Sequence, residues 1–308
     1  MQSSHTFEGK VSMDQIYDRP DPRAYFRKLE GLDYILPGAA KYLIQELVSH
    51  LQESRDKAID ILDVGCSYGV NAALLKHDMS MTELYAHWGQ KHLDDASSEE
   101  VLAYDRRFFS CAEQQADIRV LGLDAAENAV AYAEDVGLLD EGLALDLESE
   151  ALPAENAADL QAVDLVISTG CVGYVTETTF QRLLPAVFQD EPPWFANFAL
   201  RTFPFERIAG LLAESGYVTE RLEGSTFKQR RFASSEEQAA FLERLESKGF
   251  DTSGKEAEGY SHAQFYLSRP KHEADSIPIE TLYRNASAES DDFRDVDDEC
   301  FRAVRVAG

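Results

Sequence analysis

Apolar positions in this chain recur in two alternating rhythms. Short runs dense in Ile, Leu and Val, suited to strands buried on both faces, fall at 59–64 (with Ile59, Ile61, Leu62 and Val64), 118–123 (IRVLGL), 142–149 (GLALDLES), 163–170 (VDLVISTG) and 194–203 (WFANFALRTF). Between them apolar residues return at helical spacing. One helix is predicted from Pro37, with Ala40, Leu43, Leu47 and Leu51 on one face, and another from Val70 through Leu75. AAENAVAYAEDVG stops at Gly137, TETTFQRLLPAVF is bent by Pro185, and FERIAGLLAESG stops at Gly216. An extended YVTERLEG follows, then a helix opened by Ser235-x-x-Gln238 and a last extended segment, SHAQFYLS at 261–268. Strands and helices alternating from residue 59 to 268 predict an α/β fold, its mostly parallel sheet covered on both faces.

The stretch AIDILDVGCSYGVNAALL, 58–75, joins the first strand to a helix through a tight turn. Gly65, Ser67 and Gly69 let the backbone bend sharply and approach a ligand. The dinucleotide fingerprint wants a third glycine where Ala72 stands, which weakens that reading. The order D-x-G-x-S-x-G, with Asp63 inside the strand end, resembles motif I of the class I S-adenosylmethionine-dependent methyltransferases, with Ser67 at the family's usual middle glycine. The resemblance implies a Rossmann-like sheet of seven strands, 261–268 being the antiparallel seventh. It also implies S-adenosyl-L-methionine as cofactor, held by Asp63, Gly65, Cys66, Ser67 and Gly69. Asp124 and Ala125 would serve the ribose, Asp146 and Leu147 the adenine, and Ser168 and Thr169 the edge of the reacting centre. Tyr174, just beyond, is the candidate catalytic residue.

The implied activity is methyl transfer to a small-molecule acceptor of the kind met in secondary metabolism. A second reading within the same resemblance is that of the azetidine-2-carboxylate synthases, which turn the cofactor's α-amine onto its own γ-carbon and release methylthioadenosine. A third is a non-catalytic cofactor-binding subunit.

Asp63 and Asp124 lie 61 positions apart, whereas a bare βαβ unit places its second acid about 20 residues on. Residues 78–117 are therefore an insertion. Two capping patterns, Ser80-x-x-Glu83 and Ser97-x-x-Glu100, predict two helices there. They read as a lid bringing Tyr85 and Trp88 to the substrate, or as a surface addition or dimer contact. Pro20 and Pro22 break the N-terminal segment, 1–36, which reads as a cap whose Tyr17, Tyr25 and Tyr34 either line the site or anchor loops. The main domain is placed at 37–270. Residues 271–308 read as an acidic tail, and SAESDDFRDVDDECF within it as a mobile segment or an arm gripping a second copy in a homodimer.

Composition narrows the function. A chain of 308 residues that is 44% hydrophobic can build one large core. No apolar run reaches the roughly 18–20 residues of a membrane span. MQSSHTFEGKVSMDQ lacks the basic-then-apolar order of a secretory signal, so a cytoplasmic location is expected. Cys66, Cys111, Cys171 and Cys300 are scattered, which predicts reduced thiols, Cys66 filling space in the turn. Fifty-six acids against 29 bases give a net charge of −27, which repels phosphate backbones. The base clusters Arg106/Arg107 and Lys228/Arg230/Arg231 read as solvated faces. The seven histidines are dispersed, so no metal site is expected, and Ser67 lacks the flanks of a nucleophile elbow. The expected partner is a small molecule rather than nucleic acid or membrane.

Overall fold

The computed structural model describes residues 14–112, 114, 117–188, 191–288 and 302–307. Among the described residues nine strands form one sheet: β1 (Ile59–Val64), β2 (Ile118–Asp124), β3 (Glu141–Ala144), β4 (Val163–Thr169), β5 (Trp194–Leu200), β6 (Tyr217–Glu223), β7 (Phe227–Arg231), β8 (Tyr260–Pro270) and β9 (Arg302–Arg305). Helices α1 (Asp14–Tyr17), α2 (Arg23–Glu30) and α3 (Leu36–Arg55) precede the sheet. α4 (Val70–Lys76), α5 (Met81–Trp88), α6 (Ser98–Cys111), α7 (Glu127–Asp135), α8 (Ala154–Ala157), α9 (Glu177–Val187), α10 (Glu206–Glu214) and α11 (Ser235–Ser247) alternate with it. α12 (Lys271–Ser276) and α13 (Ile279–Ala288) follow.

The sheet runs in the order β3-β2-β1-β4-β5-β8-β6-β9, with β7 beside β8. β1 to β5 pair in parallel, and β8 is antiparallel to both β5 and β6. Along β1, Ile59 and Ile61 enter the core under α3 and α4, while Leu62 and Val64 enter the core under α9 and α10. Burial on both faces is why these strands read as near-continuous apolar runs. No described helix is long and apolar enough to cross a membrane.

The sheet exceeds the expected seven strands by β7 and β9. FKQRR was too polar to read as a strand, yet it pairs with β8, burying Phe227, Gln229 and Arg230. Arg230 is thus no solvated base; its guanidinium meets the buried Glu237 at 2.7 Å. The N-cap of α11 is Ser234, taking the Glu237 N–H, one residue before the expected Ser235. β3 stops at Ala144, short of Asp146, and β5 at Leu200. Pro185 falls in the last turn of α9. Residues 271–288, expected to open an acidic tail, instead form α12 and α13, where Ile279, Leu282 and Tyr283 are buried against the α3 side of the core. SAESDDFRDVDDECF lies outside the described residues beyond its first two positions.

Both inserted helices begin at the predicted capping boxes, Ser80 with Glu83 and Ser97 with Glu100. They are joined by a buried polar cluster centred on Asp105, whose carboxyl takes His87 Nε2 at 2.6 Å, Trp88 Nε1–H at 3.0 Å and the Tyr132 hydroxyl of α7. Asp105 is fully buried, so each donor depends on it. Asp105→Ala should therefore lower unfolding free energy by about 3 kcal/mol or more, read from urea denaturation, because it strands buried donors as well as opening a hole.

Candidate functional site

The strand order reverses direction at β1, since β2 and β3 lie on one side of it and β4 and β5 on the other. Open α/β sheets bind ligands outside the strand carboxyl ends at such a switch point. A cavity of about 720 Å³ opens there, walled by the ends of β1, β2 and β4, the turn after β3, the N-terminal segment and β7. Small-molecule sites commonly enclose roughly 300–1,000 Å³.

The turn after β1 adopts positive φ at Gly65, Ser67 and Gly69. A Cβ on Gly65 would fall 2.6 Å from the Cys171 Cβ, so glycine is required for space as well as for φ. Ser67, at φ +49°, takes the left-handed conformation that makes glycine usual there. Its N–H donates to Asp124 Oδ2 at 2.9 Å, and the Ala126 N–H donates to Oδ1 at 3.0 Å. Asp124 thereby locks the two turns together while standing in the cavity wall. Burial raises its pKa, against the lowering effect of those N–H bonds.

The sequence-predicted residues separate into two sets. Gly65, Ser67, Asp124, Ala125, Asp146, Leu147, Thr169, Tyr174, Tyr17 and Tyr25 line the cavity, as does Tyr34. Asp146 is exposed, and its carboxylate caps its own turn through the Glu148 N–H and the Ser149 hydroxyl. Tyr174 sits at the mouth, 43% exposed. Asp63, Cys66, Gly69 and Ser168 lie behind the wall. Cys66 fills space against Gly122, Gly69 packs on Ala133 and Leu138, and Ser168 donates to Asn197 Oδ1 at 2.7 Å. Asp63 is fully buried; Asn71 Nδ2 donates to its Oδ1 at 2.9 Å and to Thr169 Oγ1 at 3.0 Å, while Oδ2 has no partner among the described residues.

No described residue of the insertion lines the cavity, which corrects the lid reading. Trp88 is fully buried and stacks on Phe26 with ring centroids 4.0 Å apart, and the Tyr85 hydroxyl donates to the Tyr34 carbonyl at 2.5 Å. These helices buttress the N-terminal segment, which does line the cavity. Arg23 binds Asp21 at 2.8 Å and the Leu93 and Ala96 carbonyls, and Ser98 donates to Asp21 at 2.6 Å.

Sequence reading missed Asp18, Glu148, Cys171, Gln229 and Arg230 in the wall. Glu148 takes the hydroxyls of Thr176 and Thr179 at 2.7 and 2.6 Å, fixing the start of α9. No sequence signal marked Gln229, and Arg230 stood out only as part of a base cluster read as solvated, because β7 carried no strand pattern. Burial holds the Tyr25 and Tyr34 phenols well above their usual pKa, so both remain protonated donors at physiological pH. Among the described residues no cluster of His, Cys, Asp and Glu could hold a metal ion.

No family model and no curated protein matches this chain. Solved structures similar to it include the plantazolicin methyltransferase BpumL in complex with SAH, at 12% identity and TM-score 0.41 over 84% of this chain and 93% of that one. A TehB-like SAM-dependent methyltransferase from Corynebacterium glutamicum is 14% identical, TM-score 0.36, over 72% and 86% of the two chains. The phosphoethanolamine N-methyltransferase 2 of Haemonchus contortus, in complex with phosphomonomethylethanolamine and S-adenosylhomocysteine, is 16% identical, TM-score 0.40, over 85% and 61%.

Burial raises the Asp63 pKa to about 7, with Asn71 opposing and Asp124 adding to the rise. The folded state therefore keeps a proton that the unfolded chain loses near pH 4, and stability should fall as pH rises from about 4 to about 7, then level off. Asp63→Asn, which keeps an acceptor for Asn71, should flatten that fall. Thermal melts of both proteins across pH 4–8 would show the two curves diverging with rising pH, by on the order of a few kcal/mol.

Proposed function

We propose that the cavity binds S-adenosyl-L-methionine and that the protein is a methyltransferase acting on a small-molecule acceptor. The observation that carries this reading is Asp124, set in the wall at the end of β2 beside the Gly65–Gly69 turn, at the switch point of the sheet. Its carboxylate accepts the Ser67 and Ala126 N–H groups, one on each oxygen, and would retain acceptor capacity for a ribose hydroxyl. The donor set also fits a cation. Asp18, Asp124, Asp146 and Glu148 line the cavity against one guanidinium, Arg230, already paired with Glu237. Leu123, Ala125 and Leu147 supply apolar surface for a purine.

Bound there, the cofactor would supply an electrophilic methyl group on a sulfonium. The protein's own residues would position and enclose it. Asp124 orients the nucleoside, and the tyrosines of the N-terminal segment present ring faces that stabilise positive charge by about 0.5–2 kcal/mol each. Tyr25 and Tyr34, held protonated, cannot act as bases, so the acceptor either arrives deprotonated or loses its proton to another group. Tyr174, exposed at the mouth, is the residue we assign to meet it. Alignment of the reactants accounts for most of the acceleration expected of such a site. A net charge of −27 and a cavity lined by acids favour a small acceptor over nucleic acid.

Tyr17 and Tyr25, edge to face at 5.4 Å, stand with Tyr34 in the wall of this cavity. That aromatic enclosure favours a second reading, intramolecular cyclisation to azetidine-2-carboxylate and methylthioadenosine. Incubation with S-adenosylmethionine alone, analysed by mass spectrometry, separates the two. A methyltransferase gives almost no product until an acceptor is added, whereas a cyclase gives methylthioadenosine and the cyclic amino acid in equal amounts.

Asp124→Ala should weaken S-adenosylhomocysteine at least about tenfold in calorimetry while the circular dichroism of the fold is retained. Well-folded wild-type protein that binds neither S-adenosylmethionine nor S-adenosylhomocysteine would overturn the proposal.

A further inference from the structure

β7 brings into the cavity wall a side chain that the five parallel strands do not provide. Lys228 pairs with His262 of β8 and Arg230 with its neighbour Ser261, so Gln229 is the extra residue of a β-bulge. Bulges re-aim side chains beside functional sites. The Gln229 carbonyl accepts the Ile35 N–H at 2.8 Å, and the Arg231 N–H donates to Leu32 at 2.7 Å, so the bulge is tied to the N-terminal segment from both sides.

The Gln229 side chain is 6% exposed and held by one end. The Ser261 hydroxyl is within donating distance of Gln229 Oε1, at 2.9 Å, and of the Arg230 carbonyl, at 3.2 Å. With Oε1 toward Ser261, Nε2 points the other way, to within 2.9 Å of where a Cβ on Gly170 would lie; both Gln229 and Gly170 line the cavity. Among the described residues Nε2 has no acceptor. Nε2 is open to the cavity, so a ligand that places a charged acceptor there takes up a donor the fold leaves free. Tyr25, in the same cavity, is a further neutral phenol, while the Tyr34 hydroxyl faces the Thr169 carbonyl at 3.5 Å.

We infer that Gln229 forms a subsite for a carboxylate oxygen, that of the amino-acid end of the bound nucleoside. This inference rests on the cofactor reading above. Gly170 follows β4, two strands from Asp124 on β2, a separation of about 10 Å at the usual strand spacing. A nucleoside anchored at Asp124 would extend its amino-acid chain toward β4. At that end the ligand's amine donates hydrogen bonds, and its carboxylate alone offers charged acceptors. The amide leaves the carboxylate's charge unneutralised, and the acids at the other side of the cavity favour the amine and sulfonium turning away from it.

The test compares two ligands on three full-length proteins by calorimetry: S-adenosylhomocysteine, which has the carboxylate, and methylthioadenosine, which lacks the amino-acid end. Gln229→Leu removes the donor, and Gln229→Glu replaces it with a negative charge. Both variants should bind methylthioadenosine as the wild type does, showing that the fold and the adenosine site are intact. S-adenosylhomocysteine should weaken about ten- to hundredfold in Gln229→Leu and further in Gln229→Glu. Unchanged S-adenosylhomocysteine affinity in Gln229→Leu, or tighter binding by Gln229→Glu, would overturn the subsite while leaving the cofactor reading in place. Parallel weakening of both ligands would overturn it in favour of a purely structural role for Gln229. Wild-type protein that binds neither ligand removes the cofactor reading and the subsite together.

Discussion

Tyr68, buried in the turn after β1, makes the contact on which the closed cavity depends. Its hydroxyl accepts the Arg19 N–H at 2.8 Å and donates to the Arg19 carbonyl at 3.0 Å. Its ring packs against Tyr25 at 5.4 Å and Tyr132 at 5.8 Å. One side chain thus joins the ligand-facing turn, the N-terminal segment and α7. Tyr132 carries the connection onward to Asp105 and hence to both inserted helices. A segment without strands of its own can wall a cavity only if its backbone groups find partners and its apolar side chains find a core, and Tyr68 supplies both.

The insertion consequently acts at one remove. A lid would have to present side chains to the cavity and leave it when a ligand enters. Residues 78–112 contribute no side chain to the cavity wall: Trp88 is stacked on Phe26, Tyr85 is spent on the Tyr34 carbonyl, and Arg23 reaches from α2 into the turn between α5 and α6. The inserted helices stabilise the wall, and the wall carries Tyr17, Tyr25 and Tyr34. Opening of the cavity would thus require the N-terminal segment to leave a buried aromatic and polar contact set, which makes that segment an ordered part of the site rather than a loose flap.

Charge follows the same division. The acids of the cavity belong to strand ends and the turns after them, Asp124 and Asp146, or to the N-terminal segment, Asp18. The neutral polar groups come from Tyr25, Tyr34 and the bulged Gln229. The buried bases are matched by acids, Arg230 by Glu237, Arg201 by Glu256 and Arg269 by Glu220, so they stabilise the fold and add little net field. What remains uncompensated is negative, and a cationic ligand suits it.

The sequence by itself determined the parallel strands, the helices between them and the turn at Gly65–Gly69, because each follows from local apolar period, capping residues and positive-φ positions within a few residues of one another. It also placed Asp124 at its strand end and both capping boxes of the insertion. Only the tertiary structure decided what depends on distant partners. β7 is a strand because β8, some thirty residues later, offers it a ladder and a buried face, and FKQRR has no period that announces this. Asp63 was read as a cofactor ligand from its place in the motif, but a strand-end side chain faces whichever layer the sheet's pleat gives it. Here that layer is the interior, with Asn71. Trp88 was read as a substrate contact because the insertion was read as a lid; the structure gave it Phe26 and Asp105 instead, partners 62 positions before it and 17 after it. Which side of a helix or strand meets a ligand is fixed by packing between elements, and no local pattern contains it.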